Sequence, residues 1–188
     1  MLFRSSVTAP ADGSVYRSAN VPTATGQAAD GAGGTSPSGL AANSTTVTIR
    51  RNSDGAYWNG TDWQVAIDNL PTVHAATTGT TATTWTRTSG LVPWASQTDG
   101  TYTIRATATD LAGNTFSGTA ITFRIDNNTP VTATVTAPVD GGIYRGASMP
   151  AAYAGAVADN TDGGGLAANA ATITVRRNSD GAYWTGSA

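Results

Sequence analysis

Apolar and polar residues alternate one for one over several stretches of this chain. From Thr101 to Asp110, Tyr102, Ile104, Ala106 and Ala108 fall on one side, and Thr101, Thr103, Arg105, Thr107 and Thr109 on the other. Thr119 to Asp126 repeats the pattern, with Ile121, Phe123 and Ile125 set against Thr122 and Arg124. Thr45 to Arg50 places Val47 and Ile49 inside. A period of two with one Thr- and Arg-rich face describes half-buried antiparallel strands. Strands are predicted at roughly 5–9, 20–29, 45–51, 56–58, 62–67, 82–88, 101–109 and 119–126. Turn signals separate them: Asp12-Gly13, Asp54-Gly55, Asn59-Gly60, Asp99-Gly100 and Leu111-Ala112-Gly113-Asn114.

No helical period persists for more than one turn, so the predicted class is all-β. Many short strands at close turn spacing predict a β-sandwich. The segments 30–39 and 69–81 are rich in Gly, Ser, Thr and Ala and read as long surface loops. In Asp99-Gly100-Thr101-Tyr102-Thr103-Ile104, a turn, then Tyr, then an inward Ile, has the layout of a tyrosine corner. There the phenol oxygen binds a nearby backbone group while its ring enters the core. Tyr102, Ile104, Val47, Ile49 and Phe123 are the expected structural residues.

The pattern also recurs at long range. Arg50-Arg51-Asn52-Ser53-Asp54-Gly55-Ala56-Tyr57-Trp58 returns letter for letter from Arg176 to Trp184. Leu40-Ala41-Ala42-Asn43 returns at Leu166 to Asn169, and Val7-Thr8-Ala9-Pro10 at Val135 to Pro138. A domain-sized period means tandem modules, each with its own core. Residues 1–128 are expected to form one complete sandwich, and residues 129–188 the N-terminal part of a second, truncated copy. The second copy lacks counterparts of Tyr102 to Asp126, so residues 131–188 are expected to be loosely held.

Composition sharpens the class. All ten basic residues are Arg, all twelve acidic ones are Asp, and Lys, Glu and Cys are absent. Asp and Thr favour turns and strands, whereas the missing Lys and Glu are helix formers. A net charge of −2 gives no footprint for nucleic acid or an anionic membrane. No apolar run is long enough to span a bilayer, and Met1-Leu2-Phe3-Arg4 has no apolar signal core. The chain therefore reads as a piece of a larger protein.

These residues resemble a known family. Asp99-Gly100-Thr101-Tyr102, Ala106 to Asn114, Phe123-Arg124-Ile125-Asp126-Asn127-Asn128-Thr129-Pro130 and Thr136-Ala137-Pro138 are similar to the bacterial Ig-like repeats of large surface proteins and adhesins. Arg51 to Trp63 is similar to a segment found in such repeats. The resemblance implies an immunoglobulin-like β-sandwich in tandem, an extracellular or cell-surface module arrayed with neighbouring Ig-like modules. It carries over no catalytic residue.

Catalysis finds little support in the residues. His74, the single imidazole, lies in a predicted loop and reads as solvated, so a Ser/His/Asp triad would hang on a tether. Most Asp residues lie at turns or strand ends, and without Lys there is no phosphate-loop lysine. No resident cofactor is expected, with calcium the one candidate ion. In a simple up-and-down sandwich, Asp12, Asp99, Asp126 and Asn127 would gather at the exit end, facing Asp159, Asn160 and Asp162 of the second copy. Calcium takes six to eight such oxygens; the plain alternative is that these residues only form turns. Tyr57, Trp58 and Trp63 are the ligand-binding candidates. A four-residue loop would set Trp58 opposite Trp63, either exposed for a sugar ring or closing the end of the core. The leading expectation is a non-catalytic spacer or adhesion module, its partners being neighbouring modules and a surface glycan or protein. The alternative is a carbohydrate-binding accessory domain of a secreted polysaccharide-degrading enzyme.

Overall fold

A computed structural model describes residues 4–31 and 36–186. The chain divides into two compact units, Met1–Asn127 and Asn128–Ala188. No α-helix occurs among the described residues; the regular structure is strand, with three short 3₁₀ turns.

Unit one contains β1 (Arg4–Ala9), β2 (Val15–Tyr16), β3 (Thr25–Ala29), β4 (Leu40–Arg51), β5 (Tyr57–Trp58), β6 (Trp63–Gln64), β7 (Leu70–Pro71), β8 (Thr83–Thr86), β9 (Gly100–Asp110), β10 (Thr115–Ser117) and β11 (Ile121–Ile125). One sheet has the order β1-β3-β8. The other runs β2-β11-β9-β4-β5-β6, with β10 added to β9 and β7 to β4. Alternation fills the space between the sheets. Val7, Ala28 and Trp85 come from the smaller sheet. Val47, Ile49, Tyr102, Ile104, Ala106, Ala108, Ile121, Phe123 and Ile125 come from the larger. The opposite residues of β9 and β11 are half-buried or exposed, as the period of two requires. This is the β-sandwich that the alternation predicts, in an arrangement consistent with an Ig-like fold.

Among the described residues, every strand pairing in unit one is antiparallel except one. β2 lies parallel to β11, with Arg124 opposite Val15 and Ile125 opposite Tyr16. The chain thus leaves the smaller sheet after β1 and crosses to the larger, where its first strand there meets its last.

Several expectations need correction. The stretch 69–81 is not a surface loop. Leu70, Thr72, His74 and Thr77 are buried, and this strap is stitched to the bulged first half of β4. Thr72 N–H and its hydroxyl both donate to the Thr45 carbonyl, and Thr77 N–H donates to the Leu40 carbonyl. His74 is likewise not solvated. Its Nε2 accepts the Thr45 N–H at 3.1 Å, and its Nδ1 lies 2.9 Å from the Ala75 carbonyl. Those two contacts select the tautomer with the proton on Nδ1. The small polar composition suggested a loop, but a backbone next to a bulge must satisfy its polar groups somewhere. The expected strand at 20–29 begins only at Thr25, and that at 62–67 shrinks to Trp63–Gln64. Of the loop expected over 30–39, residues 32–35 lie outside the described residues.

Unit two pairs β12 (Thr132–Ala137) with β13 (Ala154–Ala158). Local features of unit one recur in it. A register shift separates Val135 from Ala137, as one separates Val7 from Ala9. The Tyr144 hydroxyl accepts the Val139 N–H, as the Tyr16 hydroxyl accepts that of Ala11. The counterpart of β4 does not form a strand: Ile173 is 56% exposed where Val47 is 1%, and Trp184 is 59% exposed where Trp58 is 4%.

Candidate functional site at the aromatic end of unit one

The turn after β4 sets the geometry. Arg51 pairs with Asp54 at 2.6 Å, the Asp54 carboxylate also accepts the Ala56 N–H, and Gly55 takes φ +77. This reverses the chain into β5, which brings Tyr57 opposite Gln64 and Trp58 opposite Trp63. The two indoles meet edge to face, with centroids 5.4 Å apart. Trp63 leans on Tyr102 at 5.9 Å, Tyr102 stacks on Phe123 at 5.8 Å, and Trp94 meets both edge-on. The Arg51 guanidinium covers Trp63, 4.8 Å from the ring centroid.

The indole N–H groups of Trp58 and Trp63 are both taken up internally. Trp58 Nε1–H donates to the Gly90 carbonyl at 2.8 Å, and Trp63 Nε1–H to Gln97 Oε1 at 2.9 Å. Trp58 is buried in the core, Trp63 packs against it half-buried, and Tyr57 is half-buried on the other side of its strand. The three sugar-binding candidates therefore share no open face.

Tyr102 is fully buried, and its hydroxyl donates to the Thr98 carbonyl at 2.8 Å, the bond of a tyrosine corner. Burial pushes the phenol above its ordinary pKa, keeping the donor proton in place. Tyr102→Phe should cost unit one about 1–2 kcal/mol, since the Thr98 carbonyl loses its partner. A urea midpoint lowered with an unchanged slope would show it.

Two carboxyls tie stability to pH. The Arg51 guanidinium and then the Ala56 N–H hold Asp54 down at about 2. For Asp110, burial pushes upward. The Asn114 side chain and backbone, the Ala112 N–H and the Ser38 hydroxyl outweigh it, so its value is net lowered. A carboxyl lowered in the fold stabilises fully above its unfolded value and loses that contribution as pH falls through its folded one. Urea midpoints should therefore fall between about pH 4 and about pH 2, and Asp54→Asn should flatten part of that slope.

Of the calcium candidates in unit one, Asp99 and Asn127 meet beside Asp126, and Asp12 is bonded elsewhere along β11. Asp12 Oδ1 accepts the Thr122 N–H near the start of β11. Asp99 accepts the N–H and side-chain amide of Asn127, just past the end of β11. Asp126 N–H donates to the Tyr16 carbonyl. In unit two, Asp159 accepts the N–H groups of Asn160 and Gly165, and Asp162 has φ +64. Among the described residues no three His, Cys, Asp or Glu side chains cluster as a metal group, and no helix is long and apolar enough to cross a membrane.

Buried Arg87 also escaped the reading of the sequence. Arg87 follows Trp85 by two, just past the end of β8 in its inward phase, and is only 4% exposed. Its phase was the available signal, and the positive charge masked it.

A search of curated proteins and one of solved structures each gave no match. A family model described as bacterial Ig-like domain matches residues 58–127. That stretch runs from Trp58 in β5 through the tyrosine corner to Asn127 beyond β11, and β1 to β4 join it in the same sandwich. Domains of that description are generally non-catalytic and typically occur in extracellular or surface proteins. The part of unit one from Trp58 to Asn127, with its aromatic end and its last strand, is thus similar to a bacterial Ig-like domain.

Proposed function

We propose that unit one is a tension-bearing spacer or adhesion module of a larger bacterial surface or secreted protein. One observation carries the reading: the first and last strands of the larger sheet are hydrogen-bonded in parallel. Pulling such a module by its two ends loads that seam in shear, so its bonds must fail together rather than unzip one by one. The seam is reinforced along its length. Gly13 N–H donates to the Thr122 carbonyl, Arg124 N–H to Ser14, and Asp126 N–H to Tyr16. Asp12 accepts the Thr122 N–H, and Asn127 Oδ1 accepts both the N–H and the hydroxyl of Ser18. A polar outer face and an internally satisfied aromatic end suit a repeating module that must not stick to its neighbours.

Single-molecule stretching of the whole chain tests this. Unit one should open in one step, and Asp12→Ala with Asn127→Ala should lower the force needed. Gradual opening without a force peak would overturn the proposal. Affinity electrophoresis on soluble glycans tests the rival accessory-domain reading. Retardation abolished by Trp63→Ala would support sugar binding instead, and unaltered mobility would favour the spacer.

A further inference from the structure

We propose that unit one binds a small aliphatic carboxylate of about six carbons, its tail in a cavity between the sheets and its carboxylate on Arg87. The cavity measures about 180 Å³ and is walled by Val21, Ala24, Ile49, Val92, Trp94 and Ile104. An apolar cavity of about 150 Å³ accepts a guest the size of benzene, so a six-carbon body fits. Arg87 lines the same cavity. Its Nη1–H donates to the Pro71 carbonyl at 2.7 Å and its Nη2–H makes a long contact of 3.4 Å to the Gly90 carbonyl, while Nε has no partner. Gly90 has φ +53, and a Cβ there would lie 2.6 Å from Nη2, so glycine leaves room for the guanidinium.

The charge balance points to an anion. A guanidinium presents five N–H donors, and here two rest on neutral carbonyls. Among the described residues no carboxylate forms an ion pair with Arg87, and Asp68 acts on it only through space. Burial accordingly pulls the guanidinium below its ordinary pKa. A buried cation held by neutral groups alone is expensive, and a carboxylate would supply both the countercharge and charge-assisted hydrogen bonds. The walls are mostly apolar, with Arg87 and Thr23 the polar residues among them, which favours an aliphatic tail. They offer no second cation for a phosphate or a dicarboxylate.

Titration of the whole, ¹⁵N-labelled chain with hexanoate, 1-hexanol and hexylamine tests the site. Hexanoate should give saturable shifts at Val21, Ala24, Val92, Trp94 and the Arg87 Nε–H, at least tenfold tighter than hexanol, with hexylamine giving none. Arg87→Met should equalise the acid and the alcohol. Leu91→Asp changes an exposed residue lining the cavity and so leaves the core intact. It should weaken hexanoate about tenfold by repulsion while leaving hexanol nearly unchanged, and it decides the matter if Arg87→Met fails to fold. Hexanol binding as tightly as hexanoate would overturn the assignment. So would shifts scattered away from the cavity, or no saturation by about ten millimolar.

Discussion

Trp85→Ala is expected to destabilise unit one by about 3–5 kcal/mol, enough to unfold much of it at room temperature in mild denaturant. The indole is wholly buried and is the largest side chain that the smaller sheet sends into the core. Its neighbour across the strand pair, Gly26, is built around it. A Cβ at Gly26 would lie 2.4 Å from the ring and 1.9 Å from the Ser6 carbonyl. The backbone has therefore closed on the indole, and a cavity left by alanine could collapse only partly. Trp85→Phe separates packing from hydrogen bonding. The Trp85 indole N–H has no partner, so phenylalanine should recover more than half of the loss despite removing a donor. Urea unfolding of both variants followed by near-ultraviolet circular dichroism would check this. Equal losses for alanine and phenylalanine would mean that the ring's shape is not what matters.

His74→Ala should cost about 2–3 kcal/mol, far more than a loop substitution. Truncation strands the Thr45 N–H inside the sandwich and also leaves the Ala75 carbonyl without its ring partner. His74→Gln is the informative control, because its amide oxygen can accept the Thr45 N–H from near the position of Nε2. It should restore roughly half of the stability. Hydrogen exchange at Thr45, fast in the alanine variant and slowed again in the glutamine one, would locate the effect. Unchanged protection at Thr45 in His74→Ala would refute it. Asn43 holds the same strap from the other side: its Oδ1 accepts the His74 N–H and its own N–H donates to the His74 carbonyl.

His74 and Tyr102 mark how far the residues could be read in advance. Tyr102 announced itself because a corner is a local arrangement, a turn and a tyrosine two residues later, bonded to Thr98 four residues away. His74 did not, because its partner Thr45 is 29 residues distant and nothing near it in the chain signals burial. The aromatic end shows the same division. The register of Trp58 against Trp63 follows from a short loop. Burial of Trp58 depends on Gly90, and the orientation of Trp63 on Gln97, each more than thirty residues away. The expected gathering of Asp12 with Asp99 followed from an up-and-down order, whereas the parallel β2–β11 seam sets them at different levels of β11.

The repeated residues separate the two kinds of determination within one molecule. From Arg50 to Trp58 and from Arg176 to Trp184 the letters are the same, and so is the turn. Arg51 holds Asp54 as Arg177 holds Asp180, and Ala182 N–H donates to Asp180 at the 3.1 Å seen between Ala56 and Asp54. Asn43 and Asn169 take the same positive φ, 59° and 60°. Those features need only neighbours in the chain, so the amino-acid order alone dictates them. Strand β4 and the burial of Val47, Ile49 and Trp58 need more. In unit one β4 is paired by β9 at Leu40 and again from Thr45 to Arg51, whereas the same pattern from Leu166 to Arg177, without such a strand beside it, is bridged only at Arg176, to Tyr183, and leaves Ile173 exposed. An alternating segment states which side chains could be inside. Only a partner strand to take up its backbone hydrogen bonds and an opposing sheet to exclude water make that side an interior.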